Sequence, residues 1–375
     1  MRMDLSWAEV QLRADPVHGT PCARSSHGVS VVKGGTRLVL VGGEHVARTP
    51  IPFFAQYWIG ELEENGLQGE WRKVIPKGSE GKQGEHIVEG SLPSDRIAHA
   101  QAASEDRYVY VFGGRAGVAM SEKAMNDLWV LDTEKETWSC MTPLKGTAPT
   151  ARSYHRMICL GPTLYVFGGC GASGRLHDLH AFDINSRAWT ELPSSDLRGR
   201  GGPCLLPIAA GKKIAVVSGF AGEETADGQV YDIASGKWES VEQLTEKLDG
   251  MRPRSVCVSS TIPSVPISIL FGGEVNPSEK GHEGAGGFEN DLVLLDEASG
   301  HFITRRAAAV GAANNQEEEK SSSAQAWPHQ RGWSDGAGCA GTEEGVGVLY
   351  VYGGLAGDDS HPVRLGDLWR LQVKA

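Results

Sequence analysis

The stretch YVFGGCGASGRLHDLHAFD (165–183), followed by Trp189, decides the fold, because its parts recur along the chain. A β-rich run ending in a glycine pair comes first, and a second apolar run follows after a variable loop. The first runs are LVLVGG (38–43), YVYVFGG (108–114), LYVFGG (164–169), SILFGG (268–273) and LYVYGG (349–354), and IAVVSG (214–219) is a sixth in which Ser218 replaces the first glycine. A repeat of roughly fifty residues indicates stacked β-sheet units.

Three further signatures recur around most of the glycine pairs. The second apolar runs are NDLWVLD (126–132), HDLHAFD (177–183), GQVYD (228–232), NDLVLLD (290–296) and GDLWRL (366–371). The aromatic residues that follow them are Trp138, Trp189, Trp238 and Phe302. Upstream of the glycine pairs, R-x-x-H occurs at Arg24–His27, Arg96–His99 and Arg152–His155, and Arg254 and Arg331 keep the arginine alone. Apolar runs of this kind are typical of strands buried between neighbouring sheets.

These signatures together resemble the kelch repeat, which predicts an all-β, six-bladed kelch β-propeller formed as one domain by residues 1–375. The glycine pair permits a sharp turn that a Cβ atom would obstruct, and the tryptophan fills space between blades. The last blade ends after its third strand, and an open edge would template aggregation. We therefore expect the N-terminal strand LSWAEV (5–10), with Trp7 in the closing position, to complete it.

Two stretches exceed the repeat and are predicted to be surface insertions. One is rich in Gly, Lys and Glu and lies near 75–90. The other is the low-complexity segment AAAVGAANNQEEEKSSSAQ (307–325), which is too polar to pack in a core. Neither indicates a second domain.

Composition excludes several classes of protein. The formal net charge of −11 argues against nucleic acid or anionic lipid as the main partner, because both require a basic surface. No run of eighteen apolar residues or secretory signal is present, so no membrane association is expected and a cytoplasmic location is predicted. The seven scattered cysteines fit neither a disulfide framework nor a zinc site.

The loops after the glycine pairs open on one face of the predicted propeller, and so do the R-x-x-H segments. The longest such loop, within GGEVNPSEKGHEGAGGFEND (272–291), holds Glu274, Glu279, His282 and Glu283 among glycines. A long loop rich in carboxylates and histidine, without apolar anchors, is the best candidate site. In contrast, His27, His99 and His155 occupy equivalent repeat positions, and we expect them to be structural.

The blade-five loop resembles that of the nitrile-, epithio- and thiocyanate-forming specifier proteins of glucosinolate breakdown. Their metal motif is E-x3-D-x3-H, which Glu274 and His282 match, while Ser278 stands in place of the aspartate. The resemblance extends to Arg115 in F-G-G-R, to Tyr154 in A-R-S-Y-H and to Trp333 in R-G-W. Arg200 is interpreted as the blade-four counterpart of the repeat arginine.

This resemblance implies a Fe²⁺-dependent, lyase-type protein that directs breakdown of a glucosinolate-aglycone-like molecule towards a nitrile. Glu274 and His282 would bind the metal, with Ser278 or Glu279 as the third ligand, and carboxylate and imidazole suit such an ion. Arg115 would bind the departing sulfate through its fork of N–H donors, and Tyr154 and Trp333 would line the substrate pocket. The alternative is a non-enzymatic kelch scaffold that binds a protein on its loop face.

Overall fold

The computed structural model describes residues 3–77, 92–117, 124–240, 251–296, 302–305 and 326–375. The side chains of His282 and of residues 302–304 are outside this description. The predicted insertion at 307–325 lies outside the described residues, as does most of the stretch near 75–90. Within the part of the chain that the structure describes, no helix has the length and apolar character needed to cross a lipid bilayer.

The described strands form six antiparallel four-stranded blades, which confirms the predicted propeller. Blades one to three contain Gly28–Val32, Arg37–Val41, Tyr57–Leu62 and Gln68–Val74, then Ala100–Ser104, Tyr108–Phe112, Leu128–Asp132 and Thr137–Cys140, then Arg156–Leu160, Thr163–Cys170, Arg175–Asp183 and Ala188–Leu192. Blades four to six contain Cys204–Ile208, Lys213–Phe220, Glu224–Asp232 and Lys237–Glu239, then Val258–Ile262, Ile267–Phe271, Leu292–Asp296 and Phe302–Arg305, then Asp335–Ala340, Val346–Gly357, Pro362–Lys374 and Asp4–Glu9.

The N-terminal strand closes the last blade, as predicted. Asp4–Glu9 pairs antiparallel with Pro362–Lys374, and Trp7 lies opposite Leu371. Trp138 lies opposite Leu131 in the same way, so Trp7 is the closing tryptophan of blade six. The chain then continues into Gln11–Arg13, which pairs parallel with the outer strand of blade one. One short segment therefore joins the first blade to the last, an additional link that the sequence did not predict.

The core consists of apolar layers between adjacent blades. One layer joins blades five and six through residues such as Phe271, Leu294 and Trp369, with Trp7 among them. Another joins blades one and two through Val41, Tyr57 and Trp138. Each blade thus buries both of its faces, which explains why the inner strands are apolar throughout rather than alternating.

The repeat arginines are fully or almost fully buried. In five blades each pairs with an aspartate that lies at the start of the second apolar run or directly before it. Arg96 contacts both oxygens of Asp127, at 2.7 Å and 2.8 Å. The other pairs are Arg152–Asp178, Arg200–Asp227, Arg254–Asp291 and Arg331–Asp367. Arg200 is therefore the blade-four counterpart of the repeat arginine, as interpreted from the sequence. Paired, hydrogen-bonded burial of this kind is how a protein interior tolerates a charge.

The repeat histidines contact aromatic rings, which supports their structural interpretation. His27, His99 and His155 lie edge-on to Tyr352, Phe54 and Phe112, with ring centroids 5.0–5.5 Å apart. Burial, and secondarily the charge of Arg96, lowers the pKa of His99 to about 3. Burial also lowers the pKa of His27 and of His155 well below the ordinary value.

Replacing His99 with Gln is expected to reduce the sensitivity of the protein to acid. Because the folded-state pKa of His99 is lowered, the unfolded chain takes up the proton first, and stability is lost as the pH falls below the unfolded value of about 6.5. Between pH 7.5 and 5.5, wild type should lose about 1.4 kcal/mol of unfolding free energy relative to the variant. Urea titrations at both pH values measure this difference. The exposed His361 replaced by Gln is the control, and an equal change in both variants would contradict the argument.

Candidate functional site

Two concentric rings of residues form the centre of the loop face. The residue after each glycine pair forms an antiparallel bridge with the residue after the repeat arginine. The six bridges are Ser25–Glu44, Ile97–Arg115, Ser153–Cys170, Gly201–Phe220, Ser255–Glu274 and Gly332–Leu355. The glycine pairs therefore place one variable side chain per blade around the axis of the loop face.

The inner ring is closed by backbone hydrogen bonds that pass through every blade. Each member donates its N–H to the carbonyl oxygen of its counterpart in the preceding blade, over 2.7–3.1 Å. In blade order the members are Ser26, Ala98, Tyr154, Gly202, Val256 and Trp333, and all have positive φ between 48° and 58°. Only one of the six is glycine, so the ring holds strained backbone of the kind that clusters at functional sites.

Tyr154 and Trp333, both predicted from the sequence to line the pocket, meet across the axis. They belong to opposite blades, and their rings pack edge to face with centroids 5.4 Å apart. Trp333 also packs against Ala285, Phe288 and Leu355. The two half-buried aromatic rings therefore present apolar surface at the centre of the loop face.

Glu274 lies beside Trp333 and is buried, with 7% of its surface exposed. Burial raises the pKa of Glu274 to about 7, and the charge of Asp359 adds to this rise. This rise in pKa is opposed by three groups that favour the charged form: the backbone N–H groups of Ser278 and Gly286, and the Trp333 indole. This carboxyl group is therefore poised to exchange a proton near neutral pH, as general acids and bases are.

Arg115 follows the glycine pair of blade two and lies on the same face. Its backbone pairs with Ile97, and its side chain is close enough to Tyr154 and Cys170 to influence their pKa values. The side chain is half-buried, and its buried Nε atom has no hydrogen-bond acceptor among the described residues. Among the described residues, no carboxylate forms an ion pair with it. A guanidinium in this state is suited to bind an anionic ligand.

The predicted metal loop is held by the loop of blade six. The Ser278 hydroxyl donates to the carboxylate of Asp359, which also accepts the Glu279 backbone N–H at 3.1 Å. The Lys280 ammonium donates to the Asp359 carbonyl oxygen at 2.6 Å. The Glu279 side chain is exposed to solvent. Ser278 therefore acts as a donor here, and the carboxylate beside it comes from Asp359 of the neighbouring blade.

The described residues do not form an iron site by themselves. Within the described ranges, no three side chains of His, Cys, Asp or Glu come together as metal ligands. Glu274 is already oriented by N–H donors, and the His282 side chain is outside the description. Fe²⁺ at Glu274 and His282 thus stays a prediction of the resemblance.

Glu224 is a site residue that the sequence analysis missed. Burial and the neighbouring charge of Glu274 raise its pKa to about 8, while Ser255 and Arg175 favour its charged form. The Ser255 hydroxyl donates to one carboxyl oxygen at 3.2 Å, and the other oxygen is buried with no partner in the described ranges. The available signal in the sequence was the short A-G-E-E turn (221–224) of blade four. Because this turn is so short, the chain returns to the ring at Glu224.

An axial cavity of about 530 Å³ lies behind this face and is separate from it. Its walls are the innermost strands, and they extend to turns such as Gly34–Gly35 on the opposite face. Arg156 and Asp335, from opposite blades, form an ion pair at 3.4 Å at its inner end. Tyr154, Trp333, Arg115 and Glu274 do not line it. The predicted site and the cavity are therefore different compartments.

Comparison with known families agrees with this architecture. A family model described as the KLHDC2/KLHL20/DRC7 Kelch-repeats domain matches residues 81–273, just over half of the chain. The chain belongs to the kelch-repeat family. The repeat-based interpretation of the sequence is thereby confirmed.

Relatives of this kelch propeller differ widely in size. It is 27% identical over 312 residues to N-(sulfonatooxy)prop-2-enimidothioate sulfolyase of Thlaspi arvense, covering 77% of this chain and 80% of that protein. It is 25% identical to the flagellar outer-arm dynein alpha chain of Chlamydomonas reinhardtii over 74% of this chain but 6% of that protein. Human host cell factor 2 is 29% identical over 44% of this chain and 19% of its own length.

Proposed function

We propose that this kelch propeller binds a small sulfonated thiohydroximate-type molecule at the centre of its loop face and directs its breakdown. The observation that carries the proposal is the proximity of Arg115, Tyr154, Trp333 and Glu274, which were selected from a resemblance in separate blades. The similarity to a sulfolyase along most of both chains supports the same substrate class. A cytoplasmic location stays a prediction of the sequence.

Each residue has a chemical task in this proposal. The Arg115 fork binds the sulfonate oxygens and stabilises the charge that develops as sulfate departs. Tyr154 and Trp333 pack against the organic part of the substrate and exclude water. Glu274 and Glu224 hold or release a proton beside the reacting group.

The proposed reaction balances without an oxidant. The N–O bond breaks, and the oxygen takes the bonding pair away as sulfate. In nitrile formation the carbon–sulfur bond also breaks, its electron pair completes the carbon–nitrogen triple bond, and sulfur leaves as the element. We derive no step through iron, because the described residues do not supply three ligands.

The product ratio tests the proposal. A thioglucosidase releases the unstable aglycone from a glucosinolate in the presence or absence of the purified chain, and nitrile and isothiocyanate are quantified by gas chromatography. We expect the nitrile share to rise with protein concentration. An unchanged ratio at every concentration, with Fe²⁺ added or withheld, contradicts the proposed function.

Iron binding is tested separately by anaerobic Fe²⁺ titration. We expect wild type to bind Fe²⁺ more tightly than the double variant Glu274→Ala/His282→Ala. Equal binding by both contradicts the metal prediction but not the substrate proposal, which is judged by the product ratio.

The second candidate function is a protein-binding scaffold. The observation that favours it is that kelch segments similar to this chain form only 6% and 19% of the dynein chain and host cell factor 2. An unchanged product ratio, together with capture of a defined protein that Trp333→Ala abolishes, would favour the scaffold.

A further inference from the structure

One repeat arginine lacks the partner that the other five have. Gln56 in blade one occupies the position of the paired aspartate, because Leu40 lies opposite Trp58 and the register places Gln56 where Asp127 stands in blade two. Arg24 is nevertheless 3% exposed. Among the described residues, no carboxylate forms an ion pair with it.

The guanidinium of Arg24 keeps the other contacts of the repeat. Its Nε donates to the Cys22 carbonyl oxygen at 3.1 Å, and its Nη1 donates to the Gly42 carbonyl oxygen at 2.9 Å. Within the part of the chain that the structure describes, Nη2 contacts only the Cys22 sulfur, at 3.4 Å. Arg96 makes the same carbonyl contacts and adds two bonds to Asp127. The fork of Arg24 is therefore oriented for an acid that the described residues of its blade do not provide.

A cavity of about 200 Å³ lies against Arg24. Its polar lining is Thr20, Cys22, Arg24, Gln56 and Lys73, and its apolar lining includes Ile51, Pro52, Phe53, Phe54 and Trp58. Among the described residues, two cations and no carboxylate thus line this space.

Two described carboxylates are already engaged by backbone N–H groups of residues that line the cavity. Asp95 accepts the Phe54 N–H at 2.7 Å, and Asp15 accepts the Lys73 N–H at 3.0 Å. Neither lines the cavity. Because a buried cation without a counter-charge is costly, an anion entering the cavity is stabilised.

We propose that this cavity is a binding site for a small carboxylate with an apolar body. In the other five blades an aspartate carboxylate binds the equivalent guanidinium, so a carboxylate fits this fork. The aromatic and aliphatic walls of the cavity suit the hydrocarbon portion of such a ligand. None of Arg115, Tyr154, Glu274 and Trp333 lines the cavity, so the inference does not rest on the proposed function.

Thermal unfolding of the full chain with benzoate tests this site, with benzamide as the uncharged isostere and sodium chloride holding ionic strength constant. We expect benzoate to raise the Tm of wild type in a saturable manner, because ligand binding to the native state stabilises it. Benzamide should produce no comparable shift. Equal shifts with both compounds, or a shift with sulfate but none with benzoate or acetate, would overturn the assignment.

Gln56→Asp supplies the missing carboxylate from within the chain. We expect it to raise the Tm without ligand and to abolish the response to benzoate, whereas Gln56→Asn, of the same size but uncharged, keeps the response. Lys73→Gln should weaken benzoate binding several-fold in calorimetric titration, and it remains informative if Gln56→Asp does not fold. If Gln56→Asp folds and binds benzoate as well as wild type does, the proposal is contradicted. If Gln56→Asp does not fold, undiminished benzoate binding by Lys73→Gln contradicts it.

Discussion

Replacing Arg115 with Gln is expected to lower the initial rate of protein-dependent nitrile formation about 100-fold or more. The change removes the charged donors that would stabilise the departing sulfate, and loss of one such donor typically has an effect of this size. We expect the variant to fold. Among the described residues the Arg115 side chain makes no ion pair, and the hydrogen bonds with Ile97 are made by the backbone of Arg115. Rates measured against the protein-free background, over a range of protein concentrations, give the effect.

Two variants sharpen this prediction. Arg115→Lys keeps the charge but loses the fork, so its rate should lie between those of wild type and Arg115→Gln. Arg198→Gln removes an arginine whose side chain is 59% exposed and paired with Glu223, and it should leave the rate unchanged. If wild type is active and Arg115→Gln forms nitrile at the same rate, Arg115 does not bind the substrate.

Replacing Asp291 with Asn is expected to destabilise the fold by about 3–5 kcal/mol. Asp291 and Arg254 are both almost completely buried, with side-chain exposures of 1% and 0%. The variant keeps the volume of the side chain but leaves the Arg254 cation without its counter-charge in the interior. Guanidinium chloride unfolding, followed by circular dichroism, measures the loss.

The matched control is the exposed pair Arg198–Glu223, whose side chains are 59% and 70% exposed. Glu223→Gln should cost about 1 kcal/mol or less, because surface ion pairs contribute little. If both variants lose the same free energy, burial of the Arg–Asp pair is not what stabilises the blade.

Much of the fold could be predicted from the sequence because the repeat is carried by local contacts. The glycine pairs, the repeat arginines and the closing tryptophans act within one blade or on its neighbour. The second signature of blade one, around Gln56–Trp58, was not recognised. The missing aspartate explains this, and the same difference leaves Arg24 beside an open cavity.

The site was only partly predictable. Arg115, Tyr154, Glu274 and Trp333 were found through motifs, and the backbone ring brings them to one face. Glu224 and Asp359 were missed, because their proximity to Glu274 is set by closure of the propeller rather than by any local pattern. Sequence spacing within one blade does not show which loop of the next blade approaches it.

The Arg156–Asp335 pair crosses the axis between the loop-face residues and the axial cavity. The pair spans opposite blades, and Arg156 also donates to backbone carbonyl oxygens of the two blades that follow it, those of Pro203 and Cys257. A molecule in the axial cavity would contact this pair before it reached the loop-face residues. Arg156 and Asp335 lie two residues after Tyr154 and Trp333, so a ligand in the cavity that displaced the pair would also disturb the aromatic centre of the loop face.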